Sequence, residues 1–172
     1  ALEKIGRPVV DSLIQALKTE TGEARTKVAL VLGSIGDIRA VRPLVQALGD
    51  EDDNVRWGAA WALEKIGPAA VKMLVNSLSE DDAGTRRDAA VALGIIRDES
   101  AVDALLVAMK DADEGLRRDI GAALVNIGSR KAVYGLRRYL EDEDEGLRRI
   151  AALVLGKLGW QPEKDAEKMQ FF

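Results

Sequence analysis

The chain has 172 residues, of which 47% are hydrophobic and 31% are charged, and its formal net charge is −4. These values are ordinary for a soluble globular protein with a sizeable core. Because the sequence contains neither Cys nor His, disulfides, thiolate or imidazole metal sites and Ser-His or Cys-His catalysis are excluded. The acidic balance is unlike that of non-specific nucleic-acid binders, and no apolar run is long enough for a membrane span. We predict a cytoplasmic, non-enzymatic protein without metal or cofactor.

The chain opens on the phrase ALEKIG at 1–6, which repeats the last turns of a predicted helix at 62–67 but lacks that helix's first half. We therefore expect the chain to be a piece of a longer repeat protein. The next phrase, PVVDSLIQAL at 8–17, has apolar residues at helical spacing. A second helix is predicted to follow, from Arg25 to a terminal glycine, Gly36.

The same pair of helices then recurs at a fixed period, which is the signature of a repeat architecture. The first helix of each later pair occupies residues 40–48, 70–78, 101–109 and 132–140. One leucine of the second helix recurs every 30 or 31 residues, as Leu2, Leu32, Leu63, Leu93, Leu124 and Leu155. An arginine stands seven residues before the last five of these, as Arg25, Arg56, Arg86, Arg117 and Arg148.

Short acidic segments connect the two helices of each pair, at Asp50–Asn54, Glu80–Gly84, Asp111–Gly115 and Glu141–Gly146. Asp, Asn and Gly in such segments favour turns and cap the helix that follows. A glycine is predicted to end each second helix. It stands four residues after the recurring leucine, except after Leu93, where Arg97 takes its place.

The predicted fold is all-α, an α-solenoid of about five stacked two-helix repeats over residues 1–159. One short pair cannot bury its own apolar face, whereas stacked pairs form a continuous core. Residues 160–172 continue a G-W-x-P pattern that starts at Gly159. We predict a linker and a short capping helix there, either part of the same domain or a link to a further repeat block.

Residues 1–159 resemble the HEAT family, in particular its short-repeat branch named after phycobilisome lyases. The resemblance rests on the repeated motif D-x-x-x-[VLT]-R-x-x-A-A-x-x-L-G-x-[IL]-G. Its acid-to-arginine spacing of six is kept by Asp50 with Arg56, by Asp111 with Arg117 and by Asp142 with Arg148. Glu80 before Arg86 is a conservative variant, and Thr19 before Arg25 departs from the pattern. The resemblance implies a helical scaffold and leaves the function open.

The recurring arginines are predicted to form a structural ladder, in which each guanidinium binds acids of neighbouring inter-helix loops. A guanidinium suits this role because its planar donors meet a carboxylate bidentately. The ladder comprises Arg25, Arg56, Arg86, Arg117 and Arg148 with Asp50, Asp111 and Asp142. The alternative is an anion-binding ridge.

The resemblance implies that the second helices line a concave face, where we predict the partner-binding residues because these positions vary between repeats. They are Lys27, Leu30, Trp57, Trp61, Lys65, Arg87, Val91, Arg118, Asn126, Arg149 and Leu153. Trp57 and Trp61 lie one turn apart on the same helix face, and Trp is common at binding hot spots. The alternative is that both fill the groove between repeats, with Gly58 providing the space.

Three arginines that follow ladder arginines, Arg87, Arg118 and Arg149, give the C-terminal half of this face a basic character. This favours an acidic peptide or a phosphate backbone as ligand. The alternative is a solvated face on which Asp88 and Asp119 balance the charge.

The leading hypothesis is a protein-interaction scaffold for a protein or peptide. One alternative is a nucleic-acid-binding protein related to HEAT-like DNA glycosylases, which Trp61, Asp88 and Arg118 imitate loosely. Another is a phycobilin-lyase-like accessory protein, for which no bilin-holding residue is evident. The absence of His removes the iron site of HEAT-like deoxyhypusine hydroxylases. Membrane and nucleic acid are not expected partners, whereas unprotected terminal repeats favour end-to-end self-association.

Overall fold

A computed structural model describes the backbone of residues 2–161 and the side chains from residue 8 to residue 161. This part of the chain contains ten α-helices and no strand, which confirms the predicted all-α repeat architecture of five helix pairs. The helices are α1 Leu2–Thr19, α2 Gly22–Ile35, α3 Val41–Ala47, α4 Asp53–Ile66, α5 Pro68–Ser77, α6 Ala83–Ile96, α7 Val102–Lys110, α8 Glu114–Ile127, α9 Arg130–Arg137 and α10 Glu145–Lys157. Short 3-10 helices lie at Ile38–Ala40, Glu99–Ala101 and Arg138–Glu141.

The chain divides into two compact units, Ala1–Ser77 with α1–α5 and Leu78–Phe172 with α6–α10. Within residues 2–161, none of the helices combines the length and apolarity that a membrane-spanning segment needs. The capping helix predicted at 160–172 falls almost entirely outside the described residues, because only Trp160 and Gln161 of that segment are described and neither is helical.

The two N-terminal phrases form one element, because α1 runs without a break from Leu2 to Thr19. In the repeat pattern, ALEKIG at 1–6 corresponds to the last turns of a second helix and PVVDSLIQAL at 8–17 to a first helix. Pro8 lies inside α1 and removes a single amide donor from it. The helix continues past it, and the Ser12 hydroxyl donates back to the Pro8 carbonyl at 2.9 Å.

The starts of the second helices follow the acidic loops, as local chemistry requires. Asp52, Asp82, Asp113 and Asp144 each accept a hydrogen bond from a backbone amide in the first turn of α4, α6, α8 and α10, respectively. A carboxylate at this position satisfies amides that have no partner within the helix and suits the positive end of the helix dipole. Thr21 stands at the same position before α2 and makes no such bond.

Three of the second helices, α2, α6 and α8, end on a residue with left-handed backbone, whereas Gly67 after α4 has φ 57° with ψ −135° and Leu158 after α10 is right-handed. Gly36 and Gly128 have φ values of 72° and 66°, which glycine adopts without steric penalty. Arg97 occupies the equivalent position after α6 and has φ 57°. It is the one non-glycine residue with positive φ in the described part of the chain.

The recurring leucine forms the centre of each unit's core. Leu32 and Leu63 in the first unit, and Leu93, Leu124 and Leu155 in the second, are all completely buried. Small residues then set how closely successive second helices approach. A Cβ atom on Gly33 of α2 would lie 2.5 Å from the Cα of Ala62 in α4, and one on Gly94 of α6 would lie 2.7 Å from the Cα of Ala123 in α8.

Candidate protein-binding faces

The ladder arginines donate mainly to main-chain carbonyls. Arg56 Nη1 donates to the carbonyls of Asp50 and Glu51 at 2.7 and 2.9 Å. In the second unit, Arg148 Nη1 makes the same two bonds, to the carbonyls of Asp142 and Glu143 at 2.8 and 2.9 Å. The acceptors thus belong to the loop just before each arginine's own helix. Carbonyls of such a loop have no partner in regular secondary structure, so the guanidinium beside them satisfies them.

Two ladder arginines also reach the acid of the following repeat. Arg25 Nη1 binds Asp50 Oδ2, and Arg117 Nη2 binds Asp144 Oδ2 at 2.7 Å. The amide of Asp52, together with Arg25, holds the pKa of Asp50 below its ordinary value, against a smaller effect of burial.

The arrangement therefore differs from the predicted ladder, in which every arginine binds acids. The carboxylate of Asp142 accepts the amide of Asp144 at 3.1 Å. Asp111 makes no ion pair within the described residues. The guanidinium binds carbonyls in preference to acids because the loop carbonyls lie only five or six residues earlier in the chain, and the backbone therefore holds them next to it.

On the first unit, the predicted binding residues divide between exposed and half-buried positions. Trp57 is 60% exposed on α4. Trp61, one turn later, is half-buried, and the ammonium of Lys65 lies 5.3 Å from the centre of its ring. On α2, Leu30 is half-buried and Lys27 is exposed, paired with Glu23 at 2.7 Å.

Gly58 does not provide space for the tryptophans. It is buried against α2, where a Cβ atom would lie 3.3 Å from Thr26 Cγ2 and 3.6 Å from Ala29 Cβ. The suggestion that Gly58 accommodates Trp57 and Trp61 is therefore wrong. Its role is to let α4 pack closely on α2.

Two exposed apolar residues of the first unit, Val31 and Ile35 on α2, were not among the predicted binding residues. The position equivalent to Val31 in α4 is Ala62, which packs against Gly33 of the preceding second helix. No earlier second helix precedes α2 in the described residues, so Val31 has no such neighbour. The repeat period could have revealed this exposure. Val31 is the first of five equivalent residues, and the other four, Ala62, Ala92, Ala123 and Val154, are buried.

On the second unit, the three extra arginines have different surroundings. Arg87 Nε donates to Asp119 Oδ2 at 2.6 Å. Arg149 approaches Glu114 at 3.5 Å, with both side chains exposed. The side chain of Arg118 is exposed. The balancing acid for Arg87 is thus supplied by the next repeat rather than by the adjacent Asp88.

A groove with a volume of about 580 Å³ lies between α8 and α10. Its walls contain both charged and apolar side chains, namely Glu114, Arg117, Arg118, Gly146, Arg149, Ile150 and Leu153. The other residues predicted for this face, Val91 on α6 and Asn126 on α8, are exposed.

Within the described residues, acidic side chains do not gather in threes as a metal site requires. Asp88 and Arg118, which belong to the predicted glycosylase-like trio, are exposed on α6 and α8 of the second unit, whereas Trp61 belongs to the first unit.

Comparison with known proteins identifies the class of this fold. The sequence profile of HEAT repeats matches residues 1–64, 41–125 and 102–170. The chain therefore belongs to the HEAT-repeat family, which confirms the resemblance seen in the sequence.

Individual relatives are more distant. Phycocyanobilin lyase subunit alpha from Picosynechococcus sp. is 38% identical over 65 residues, which make up 34% of this chain and 24% of that protein. The match thus spans about a quarter of the curated relative. The structure of human deoxyhypusine hydroxylase in complex with glycerol has a TM-score of 0.50 and 18% identity, over 89% of this chain and 74% of that one. The CpcE–CpcF complex of phycocyanin lyase from Nostoc sp. has a TM-score of 0.48 and 27% identity, over 89% of this chain and 66% of that one.

Proposed function

We propose that the chain is a protein-binding repeat module that holds a protein or peptide partner on the exposed faces of its second helices. The exposure of Trp57 carries the proposal. An indole offers roughly 150–250 Å² of contact area, and Trp57 leaves 60% of its surface in solvent. An aromatic side chain with this exposure gives little to the fold and much to an interface, because tryptophan is enriched at binding hot spots.

The surroundings of Trp57 support this role. Trp61 and Lys65 follow it at helical spacing on α4, so an apolar surface and a positive charge lie along one helix face. Exposed apolar side chains also occur on other second helices, including Val91 in α6 and Leu153 in α10. Their recurrence on the second helices favours this face over a scattered set of surface residues.

The decisive test is a pull-down from lysate of the source organism, with wild-type protein and the Trp57→Ala variant as baits. We expect the wild type to retain specific proteins that Trp57→Ala loses, while both unfold at the same temperature. Val107→Ala is the matched control, because it removes a similarly exposed apolar side chain from a first helix, α7. Retention of the same proteins by Trp57→Ala and wild type would contradict the proposal.

The likeness to phycocyanobilin lyase subunit alpha supports a second candidate function, the handling of a bilin during its attachment to a protein. The match covers about a third of this chain and a quarter of that subunit. Addition of phycocyanobilin to the purified chain tests this candidate function. Saturable binding with a changed visible absorption spectrum would support this function, and an unchanged spectrum would count against it.

A further inference from the structure

The groove between α8 and α10 contains an arginine without the acidic partner that its repeat equivalents have. Arg87 donates to Asp119, 32 residues later, at 2.6 Å. Arg149 approaches Glu114, 35 residues earlier, at 3.5 Å. Arg87, Arg118 and Arg149 occupy equivalent positions in successive repeats. An acid 32 residues after such an arginine, or 35 residues before it, can therefore lie within reach of its guanidinium.

Arg118 belongs to the same column and finds an apolar residue at both intervals. Ile150 stands 32 residues after it and Ala83 stands 35 residues before it. Within the described residues, Arg118 makes neither a hydrogen bond nor an ion pair. The repeat thus places a guanidinium beside α10 and omits the carboxylate that would neutralise it.

Ile150, which stands where the preceding repeat has Asp119, also makes one wall of the groove apolar. Ile150 is half-buried against α8, where a Cβ atom on Gly121 would lie 3.5 Å from it. Leu153, one turn further along α10, is 54% exposed. Both residues line the groove together with Arg118, so a positive charge and an apolar surface share one cleft.

The remaining charges of the groove leave Arg118 as its free cation in the described part of the chain. Arg117 is held by Asp144 at 2.7 Å. Glu114, the acid among the lining residues, lies 3.5 Å from Arg149. A ligand for this groove therefore needs a negative charge for Arg118 and an apolar group for Ile150 and Leu153.

We propose that this groove binds an acidic peptide segment of a partner protein. A glutamate or aspartate of the segment binds Arg118, as Asp119 binds Arg87, and an adjacent leucine-like side chain packs on Ile150 and Leu153. The proposal rests on the proposed protein-binding function and names the partner's chemistry on the second unit. The apolar wall disfavours a nucleic-acid backbone, which presents phosphates and sugars and offers no leucine-like group to Ile150 and Leu153.

The test measures binding of the full chain to a fluorescein-labelled peptide, Gly-Ser-Glu-Glu-Leu-Leu-Glu-Glu-Gly-Ser, by fluorescence anisotropy. Ile150→Asp restores the missing carboxylate, and Ile150→Asn is its uncharged match in size. We expect Ile150→Asp to bind the peptide about fivefold more weakly than Ile150→Asn, the ratio expected for one partly exposed ion pair. Arg118→Gln, which removes no bond found in the fold, is expected to weaken wild-type binding by a similar factor.

Two variant peptides and a single-stranded oligonucleotide complete the design. A peptide with every glutamate replaced by lysine is expected not to bind, and replacement of both leucines by serine is expected to weaken binding. Equal affinity of Ile150→Asp and Ile150→Asn, no binding to wild type, or stronger binding of a single-stranded oligonucleotide than of the acidic peptide would each overturn the groove proposal. The Trp57→Ala pull-down concerns the other unit, so a partner lost there with no peptide binding here would refute only this inference.

Discussion

The carboxylate of Asp144 joins two successive repeats of the second unit. Its Oδ2 accepts a hydrogen bond from Arg117 Nη2 at 2.7 Å, and its Oδ1 accepts the backbone amide of Leu147 at 3.0 Å. The same side chain thus caps α10 and anchors α8. The Arg117 guanidinium, followed by the Leu147 amide, lowers the pKa of Asp144 to about 2.

This lowered pKa predicts a specific loss of stability in acid. The ordinary pKa of Asp is about 3.9, so ionised Asp144 favours the folded state above about pH 4, and that contribution is lost as the pH falls towards 2. Asp144→Asn keeps a capping side chain but cannot carry the charge. We expect it to be less stable than wild type at pH 6, with a difference that narrows between about pH 4 and pH 2.

Urea unfolding of both proteins across this pH range provides the measurement. Asp50, Asp82 and Asp113 also have lowered pKa values, so both proteins will lose stability in acid, and the difference between the two curves isolates Asp144. A difference that does not change with pH would show that the charge of Asp144 contributes nothing.

The left-handed conformation of Arg97 predicts a stabilising substitution. Every other position with positive φ in the described residues is glycine, and a side chain in this conformation destabilises the backbone by roughly 1–2 kcal/mol. Part of the gain from Arg97→Gly is offset because glycine is more flexible in the unfolded chain. We expect a net increase of about 0.5–1 kcal/mol in the free energy of unfolding, measured in urea.

The reverse substitution supplies the control for Arg97. Gly128 ends α8 with φ 66°, so Gly128→Arg is expected to destabilise by a similar amount. If both substitutions shift stability in the same direction, backbone strain is not the cause.

The sequence predicts the repeats well because helix ends, caps and buried leucines are set by residues close together in the chain. The ion pairs of Arg87 and Arg117 depend instead on residues about a whole repeat away. Asp119 neutralises Arg87 only because α6 and α8 lie side by side. The sequence does not distinguish this partner from the adjacent Asp88. The carbonyl acceptors of Arg56 leave no mark on the sequence at all, since every residue has a carbonyl.

The close approach of α2 and α4 at Gly33 predicts the effect of a single added methyl group. In an open helix, Gly→Ala stabilises by up to about 1 kcal/mol. At Gly33 the new Cβ would lie 2.5 Å from the Cα of Ala62, and a backbone atom cannot move aside without shifting the helix. We expect Gly33→Ala to lower the free energy of unfolding by about 1–3 kcal/mol.

Gly156 is the matched control for Gly33. It lies in α10, and a Cβ atom there would meet no described atom within 4 Å. Gly156→Ala should therefore leave stability unchanged or raise it by up to about 1 kcal/mol. An equal loss at both positions would argue against the close approach as the cause.

The buried hydroxyl of Tyr139 links the 3-10 helix after α9 to α7, and it predicts a small, measurable loss when it is removed. The hydroxyl donates to the carbonyl of Leu106 at 2.7 Å, and Tyr139 is only 5% exposed. Tyr139→Phe keeps the ring and removes this buried hydrogen bond, which typically contributes about 1 kcal/mol, together with a longer one of 3.4 Å that the hydroxyl accepts from Arg138 Nη2. Tyr134 is exposed on α9, so Tyr134→Phe makes the same chemical change without that loss. Urea unfolding should therefore give a lower free energy for Tyr139→Phe and an unchanged value for Tyr134→Phe, and equal values would mean that the hydroxyl of Tyr139 is as well satisfied by water in the unfolded chain.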